Sequence, residues 1–291
     1  MVNNKYEKYM IQIPIVPEVA TQIMQLNENS DNLSSSSLTK LISLDPYLSA
    51  SILKIANSAL YSRRSEIKEL DTAVNLIGFK KIKTMVLLLA GASLFKKNEN
   101  SYFYKLFWSH SIISAFICRD IAELIDSSFN SDEYFTAALL HRIGEVPLFL
   151  SDKDKYMQLI EENQDHSQSL SRLELEKMNT NSCLIGEALL TYWNFPEELR
   201  KTARHSCAHD DSFSDIMVDT VSLSDFVTVI HGFGIPEYVD PSRVESLLAS
   251  TGITKADFDY FTSEAYLEKL KQSRFFNECQ STLNVNLIPD N

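Results

Sequence analysis

Glycine is scarce in this sequence, with 7 among 291 residues, and no glycine-rich run has the spacing of a phosphate-cradling loop. The four cysteines, Cys118, Cys183, Cys207 and Cys279, are far apart and form no CxxC pair. That spacing fits reduced thiols in a cytoplasmic protein better than a disulfide framework. Long apolar runs are missing too. The most apolar stretch, Met85 to Phe95, is shorter than the ~20 residues a bilayer-spanning helix needs, and Met1 to Tyr9 lacks the apolar centre of a signal peptide. A soluble, cytoplasmic protein is expected. Basic residues are in deficit: 27 Lys and Arg stand against 39 Asp and Glu, a formal net charge of −12. Such a field repels nucleic acid and anionic membrane at long range, so neither is expected as the main partner.

What remains is an ordinary globular composition, 44% hydrophobic and 23% charged, in a length that suits one large domain or two closely packed ones. Apolar residues recur at helical spacing along most of it, which predicts an all-α, two-lobed helical bundle. Ile13-Pro14-Ile15-Val16-Pro17 reads as extended and leads into a helix in which Val16, Val19, Ala20, Ile23 and Met24 share a face. After an Asn/Ser-rich linker from Asn27, Leu38, Leu41 and Ile42 make a short amphipathic helix. Asp45-Pro46 reads as N-cap and first residue of the next helix. Asp71 starts a short helix ended by Gly78, and an apolar helix runs from Phe79 to Phe95, its Lys80, Lys81 and Lys83 read as a solvated face. The polar joint at 96–101 is taken as a subdomain boundary.

Beyond the joint a helix is predicted from about Tyr104 to Ile125, with Trp108, Ile112, Ala115 and Phe116 on one stripe and His110, Ser114, Ile117 and Ile121 beside it. The next helix, Tyr134 to Gly144, places Tyr134, Ala137, Ala138 and His141 at i, i+3, i+4 and i+7. Its alanines let a neighbouring helix approach, so His141 and Arg142 are delivered into a packed interior. Gly144 and Pro147 are read as stopping it. Two surface helices are expected over 151–178. A return to the core follows at Cys183, Gly186, Leu190 and Trp193, then a short helix from Glu197 to His205. Asp210, Asp211, Asp215 and Asp219 are read as an acidic loop, and Val218 to Val229 as helix. At least two more helices lie between Pro236 and Leu283, before a flexible end.

Several motifs in this order resemble the HDOD family, HD-related output domains of bacterial signalling proteins. The N-terminal half of the resemblance rests on Ile15-Val16-Pro17-Glu18-Val19, Asp45-Pro46, Ala56-Asn57-Ser58-Ala59 and 73–78. The second half rests on Trp108-Ser109-His110-Ser111, Ala138 to Gly144, Trp193-Asn194-Phe195-Pro196-Glu197, His205 and Ser224-Asp225. The resemblance implies an HDOD-like domain over 11–230, with an N-terminal lobe at 11–97 and an HD-like lobe at 98–230, followed by a C-terminal extension at 231–291. HD-superfamily hydrolases hold divalent metals through a histidine, a His-Asp pair and a distal aspartate, and the metal activates water against phosphate esters. Carried over, these positions are His110, His141 with Arg142 in place of the paired aspartate, and Asp225; His205 persists, and a further histidine of two-metal relatives falls near Ser182.

Guanidinium offers no lone pair and stays charged, so Arg142 cannot ligate a cation. The resemblance therefore implies vestigial HD positions at His110, His141, Arg142, His205 and Asp225, with no catalytic residue and no resident metal. If any metal binds, its ligands are His110, His141 and Asp225. Arg142 is expected either to pair with Asp225 or Glu145 or to snorkel to solvent. The function implied is a non-catalytic signal-transduction or regulatory module that binds a partner protein, or a small ligand between the lobes. With no receiver domain in the sequence, its input is expected from a separate partner. The competing class is a divergent metal-dependent phosphohydrolase acting on a nucleotide or cyclic dinucleotide. His205-Ser206-Cys207-Ala208-His209 is a weaker metal candidate. Cys207 is read as a structural thiol, Glu161-Glu162 and Glu197-Glu198 as solvated charges, and Tyr102-Phe103-Tyr104 and Phe275-Phe276 as core or subdomain contacts.

Overall fold

The structure, a computed structural model, describes residues 6, 9, 18–26, 35–58, 61, 66–95, 101–165, 168–206, 213 and 215–288. The expected Ile13–Pro17 segment, most of the 27–37 linker and of the 96–101 joint, and Cys207 to Asp211 lie outside them. Among the described residues there is no strand, and none of the helices is long and apolar enough to cross a membrane.

The chain divides into two compact units, one formed mainly by Asn98–Lys271 and the other by Pro14–Lys97 with Gln272–Val285. The second of these contains α1 (Glu18–Gln25), α2 (Ser35–Ser43), α3 (Pro46–Ala56), α4 (Leu70–Ile77) and α5 (Phe79–Ser93). Asp45 caps α3 as its composition predicts, accepting from the Tyr47 and Leu48 amides, with Pro46 in the first turn. Asn57 holds the chain after α3 by accepting from the Ile67 amide and donating to the Ile67 carbonyl, in the manner of a backbone pair. The apolar centre of α5, from Met85 to Ala90, is wholly buried. Part of that burial is against α17 (Arg274–Leu283), supplied from the far end of the chain. Phe276 and Cys279 of α17 are buried there, and the Tyr61 hydroxyl donates to Glu278. The extension expected from residue 231 thus splits, its last helix joining the N-terminal helices.

In the larger unit, α6 (Tyr102–Ile125) packs on α7 (Ser131–Leu140) and α13 (Ile216–Ile230). Ser101 caps α6 and Asp215 caps α13, each accepting amide hydrogens of the first turn. The two stripes expected on α6 merge: from Phe103 to Cys118 only Lys105 and Leu106 are not buried, because neighbours cover this helix on all sides. Tyr102 departs from the expected core cluster and is 57% exposed, whereas Phe103 and Tyr104 are buried.

Around this centre run α8 (Glu145–Ser151), α9 (Lys153–Glu162), α10 (Leu170–Met178), α11 (Ser182–Tyr192) and α12 (Glu197–His205), followed after α13 by α14 (Pro241–Thr251), α15 (Lys255–Phe261) and α16 (Glu264–Gln272). The expected helix through Gly144 is shorter than its pattern: α7 ends at Leu140, and His141 to Gly144 form a turn into α8. Pro147 does not stop a helix but sits in the first turn of α8, where its missing N–H costs nothing. Gly144 has a different role: a side chain there would collide with the Ser182 carbonyl, so its absence lets the turn meet the start of α11. The acidic loop also dissolves in part, since Asp215 is a cap and Asp219 is buried within α13, 3.7 Å from Arg243.

Candidate functional site

Three elements deliver the site. Within α6, His110 is buried; the turn after α7 supplies His141 and Arg142; within α13, Asp225 is buried. The small Ala137 and Ala138 are fully buried, which brings the end of α7 close to its neighbours. One ligand-type atom from each of His110, His141 and Asp225 lies within 4.8 Å of the others. His205 is elsewhere, its ring stacked on Phe213 at 4.1 Å between centroids. The stacked ring gives a physical reason for its position: an aromatic partner occupies the face. Ser182 is also engaged apart from the histidines, donating from its backbone and its hydroxyl to Glu174.

Both imidazoles are oriented through Nδ1. His110 Nδ1 lies 3.1 Å from the Phe233 carbonyl, and His141 Nδ1 lies 2.5 Å from the Ala138 carbonyl. On each ring Nδ1 thus faces a carbonyl, which holds the imidazole in place, and Nε2 is turned inward. The two Nε2 atoms are 2.8 and 2.9 Å from Asp225 Oδ1. Two imidazoles aimed at a carboxylate, each backed by a carbonyl, form a donor set suited to a divalent cation.

Arg142 reverses that suitability. Its Nε donates to Asp225 Oδ1 at 2.8 Å and its second terminal nitrogen to Oδ2 at 2.9 Å, a two-point fork that engages both carboxylate oxygens. The same guanidinium donates to Glu145 at 3.3 Å and to Glu237. Arg142 is 3% exposed, so it pairs inward and does not snorkel. A divalent ion bound to Asp225 about 4 Å from this group would meet a repulsion of about 8 kcal/mol at an effective dielectric of about 20. The residues present therefore do not fit a resident metal, and the guanidinium supplies the positive charge that Asp225 needs.

Ionisation follows from these neighbours. Burial pushes His110 below its ordinary value and the Arg142 charge pushes it further, more than its Asp225 contact raises it. Burial alone would raise Asp225, but the guanidinium and the two imidazoles outweigh it and hold the carboxyl well below the usual range. Glu145 shows the opposite balance: burial pushes it up to about 8 despite Arg142, with Glu174 and Glu237 adding to the rise. Glu174 is pushed up to about 7 by burial, against donation from Tyr156 and Ser182.

The sequence reading missed Glu174 and Glu237. Leu170, Leu173 and Glu174 share one face of α10, so the period does place that acid inward. Glu237 carries no comparable signal. It lies in an irregular segment between α13 and α14, and the first of the helices expected between Pro236 and Leu283 begins only at Pro241. Its carboxylate accepts from Arg142 on one oxygen and from the Leu170 amide on the other.

The chain belongs to the HDOD domain family. That family's sequence profile matches residues 13–209. The match covers both units in part and stops short of α13, which carries Asp225, and of Glu237. Among solved structures, the HDOD fold extends well beyond it. An HDOD domain protein of unknown function from Geobacter sulfurreducens is similar over 95% of this chain and 96% of its own, with a TM-score of 0.73 and 20% identity. A candidate phosphohydrolase from Shewanella amazonensis SB2B matches 96% of this chain and 98% of its own, with a TM-score of 0.68 and 21% identity. A candidate signal transduction protein from Marinobacter aquaeolei VT8 matches 98% of this chain but 62% of its own, with a TM-score of 0.77 and 16% identity. In sequence, an uncharacterized protein of Treponema pallidum is 23% identical over 215 residues; those residues are 73% of this chain and 41% of that protein's length.

Proposed function

We propose that this HDOD protein is a regulatory module of bacterial signal transduction that works by binding, without turnover, a partner protein or a small ligand. The observation that carries the reading is the Arg142 fork on Asp225, because it takes both oxygens that a hydrolytic metal centre would need from that residue. The two histidines keep the orientation of ligands, while the charge they would share with a metal is already supplied by protein. The Marinobacter protein, described as a signal transduction protein candidate, is in keeping with this reading.

The competing reading is a divergent phosphohydrolase, favoured by the convergent His110, His141 and Asp225 and by the description of the Shewanella protein. The full chain, assayed with manganese or iron(II) against nucleotides and cyclic dinucleotides, separates the two. The regulatory reading expects no turnover that depends on His141. Hydrolysis lost in His141→Ala would establish the enzyme instead.

A further inference from the structure

Residues 231–240 join α13 to α14 without helix or strand, and within them 232–238 meet the buried centre through Phe233 on His110 and Glu237 on Arg142. Gly232 and Gly234 have φ of +78° and +98°, a backbone region in which only glycine is at ease. Gly234 also rests against the His110 ring, where a side chain would collide with the imidazole. The segment is then held at separate points. Phe233 accepts from His110, Pro236 accepts from the Asn163 side chain, and the Tyr238 amide donates to Gln168. Glu237 makes the charged contact, one oxygen to Arg142 and the other to the Leu170 amide at the first residue of α10.

That last contact is unlike the rest. Asp225 already satisfies Arg142 with a two-point fork, and Glu145 takes a further nitrogen. Glu237 is a third carboxylate on one guanidinium, brought there by a segment whose other anchors are neutral. Its seat is a guanidinium N–H and a helix-start amide, both directed at one carboxylate. Removing Glu237 leaves two buried donors without it, so the segment cannot lift cheaply unless another acceptor of the same kind arrives.

We propose that residues 232–238 are a strap, hinged at Gly232 and Gly234, that Glu237 latches shut over the His110–Asp225 centre, and that a small carboxylate ligand opens it by taking Glu237's seat. The proposal deepens the regulatory reading by naming the ligand class and the moving part. It stands apart from whether the chain also binds a protein, and hydrolase activity does not enter its test.

The test is amide hydrogen exchange on the full chain. It compares Leu170 and Tyr238, which report the latch, with the α6 amides from Ile112 to Ile117, which report global opening. In Glu237→Ala, exchange at Leu170 and Tyr238 is expected to rise at least tenfold relative to α6, and millimolar formate is expected to restore protection at Leu170 alone. Glu237→Gln, which keeps the size and one acceptor oxygen, guards against a variant that fails to fold and should give a smaller rise at the same amides. In the unaltered chain, formate should raise exchange at Tyr238 while Leu170, its acceptor replaced, stays protected. Equal changes at the latch and in α6 would overturn the proposal, as would an alanine variant unresponsive to formate or formate without effect on Tyr238 in the unaltered chain.

Discussion

Two regions of this protein bury carboxylates, and they do so on very different terms. Among the described residues of the N-terminal helices and α17, Glu278 is the one buried acid, accepting from Tyr61 and lying 3.4 Å from the half-exposed Arg274. The larger unit buries Glu145, Glu174, Asp219, Asp225 and Glu237, and three of these share the single Arg142 guanidinium. One polar pin among apolar contacts is what fixing the register of α17 on α5 requires. A cluster of acids around one cation, with two inward-facing imidazoles, exceeds any such requirement. Buried ion clusters gain little stability over apolar packing, so their presence points to specificity or function.

Removing the shared cation should do the most damage. Arg142→Met leaves Asp225 and Glu237 buried without their counter-charge and is expected to cost about 3–5 kcal/mol in a urea melt. A loss near zero would mean that the acids are not held by the guanidinium.

The next effect is one of pH. Because the folded state holds the Glu145 proton more tightly than the unfolded chain, its contribution is fully present below about pH 4.5 and is lost as pH rises through about 8. Glu174 acts in the same sense up to about 7. Asp225 has the opposite sign, its contribution lost only as pH falls below the usual carboxylate range. Glu145→Gln should therefore flatten much of the stability decline between pH 5 and 8, on the order of a few kcal/mol, read from denaturant midpoints. An unchanged slope would remove Glu145 as its source.

The N-terminal helices and α17 should respond less. Tyr61→Phe deletes a donor to the buried Glu278 and should cost about 1.5–3 kcal/mol, with α17 amides losing protection before those of α13. Lys81→Met removes a cation placed 5.3 Å from the Phe275 ring and should cost at most about 1 kcal/mol.

How much of this was legible in the sequence varied with the range of the interaction. Local signals carried far: Asp45-Pro46 starts a helix as read, Glu197–His205 is a helix with the bounds expected, and the buried alanines of α7 lie where the periodicity puts them. The end of α7 was misplaced because turn geometry at His141, set by Gly144 against Ser182, overrides a period that runs on through the sequence. His110, His141 and Asp225 came from motif order, since no local pattern joins residues 31 and 115 positions from His110. Glu237 was out of reach. Its role depends on a fold-wide meeting of an irregular segment with Arg142, and an acid beside a proline ordinarily reads as surface.

If Arg142 stands where a metal ion would otherwise sit, the purified protein carries none, and its metal content reads this out. The full chain would be purified without chelator or histidine tag and measured by elemental mass spectrometry, alongside His141→Ala. Far less than one metal per chain is expected in both. About one metal per chain in the unaltered protein, absent from His141→Ala, would contradict it and return the site to hydrolytic chemistry.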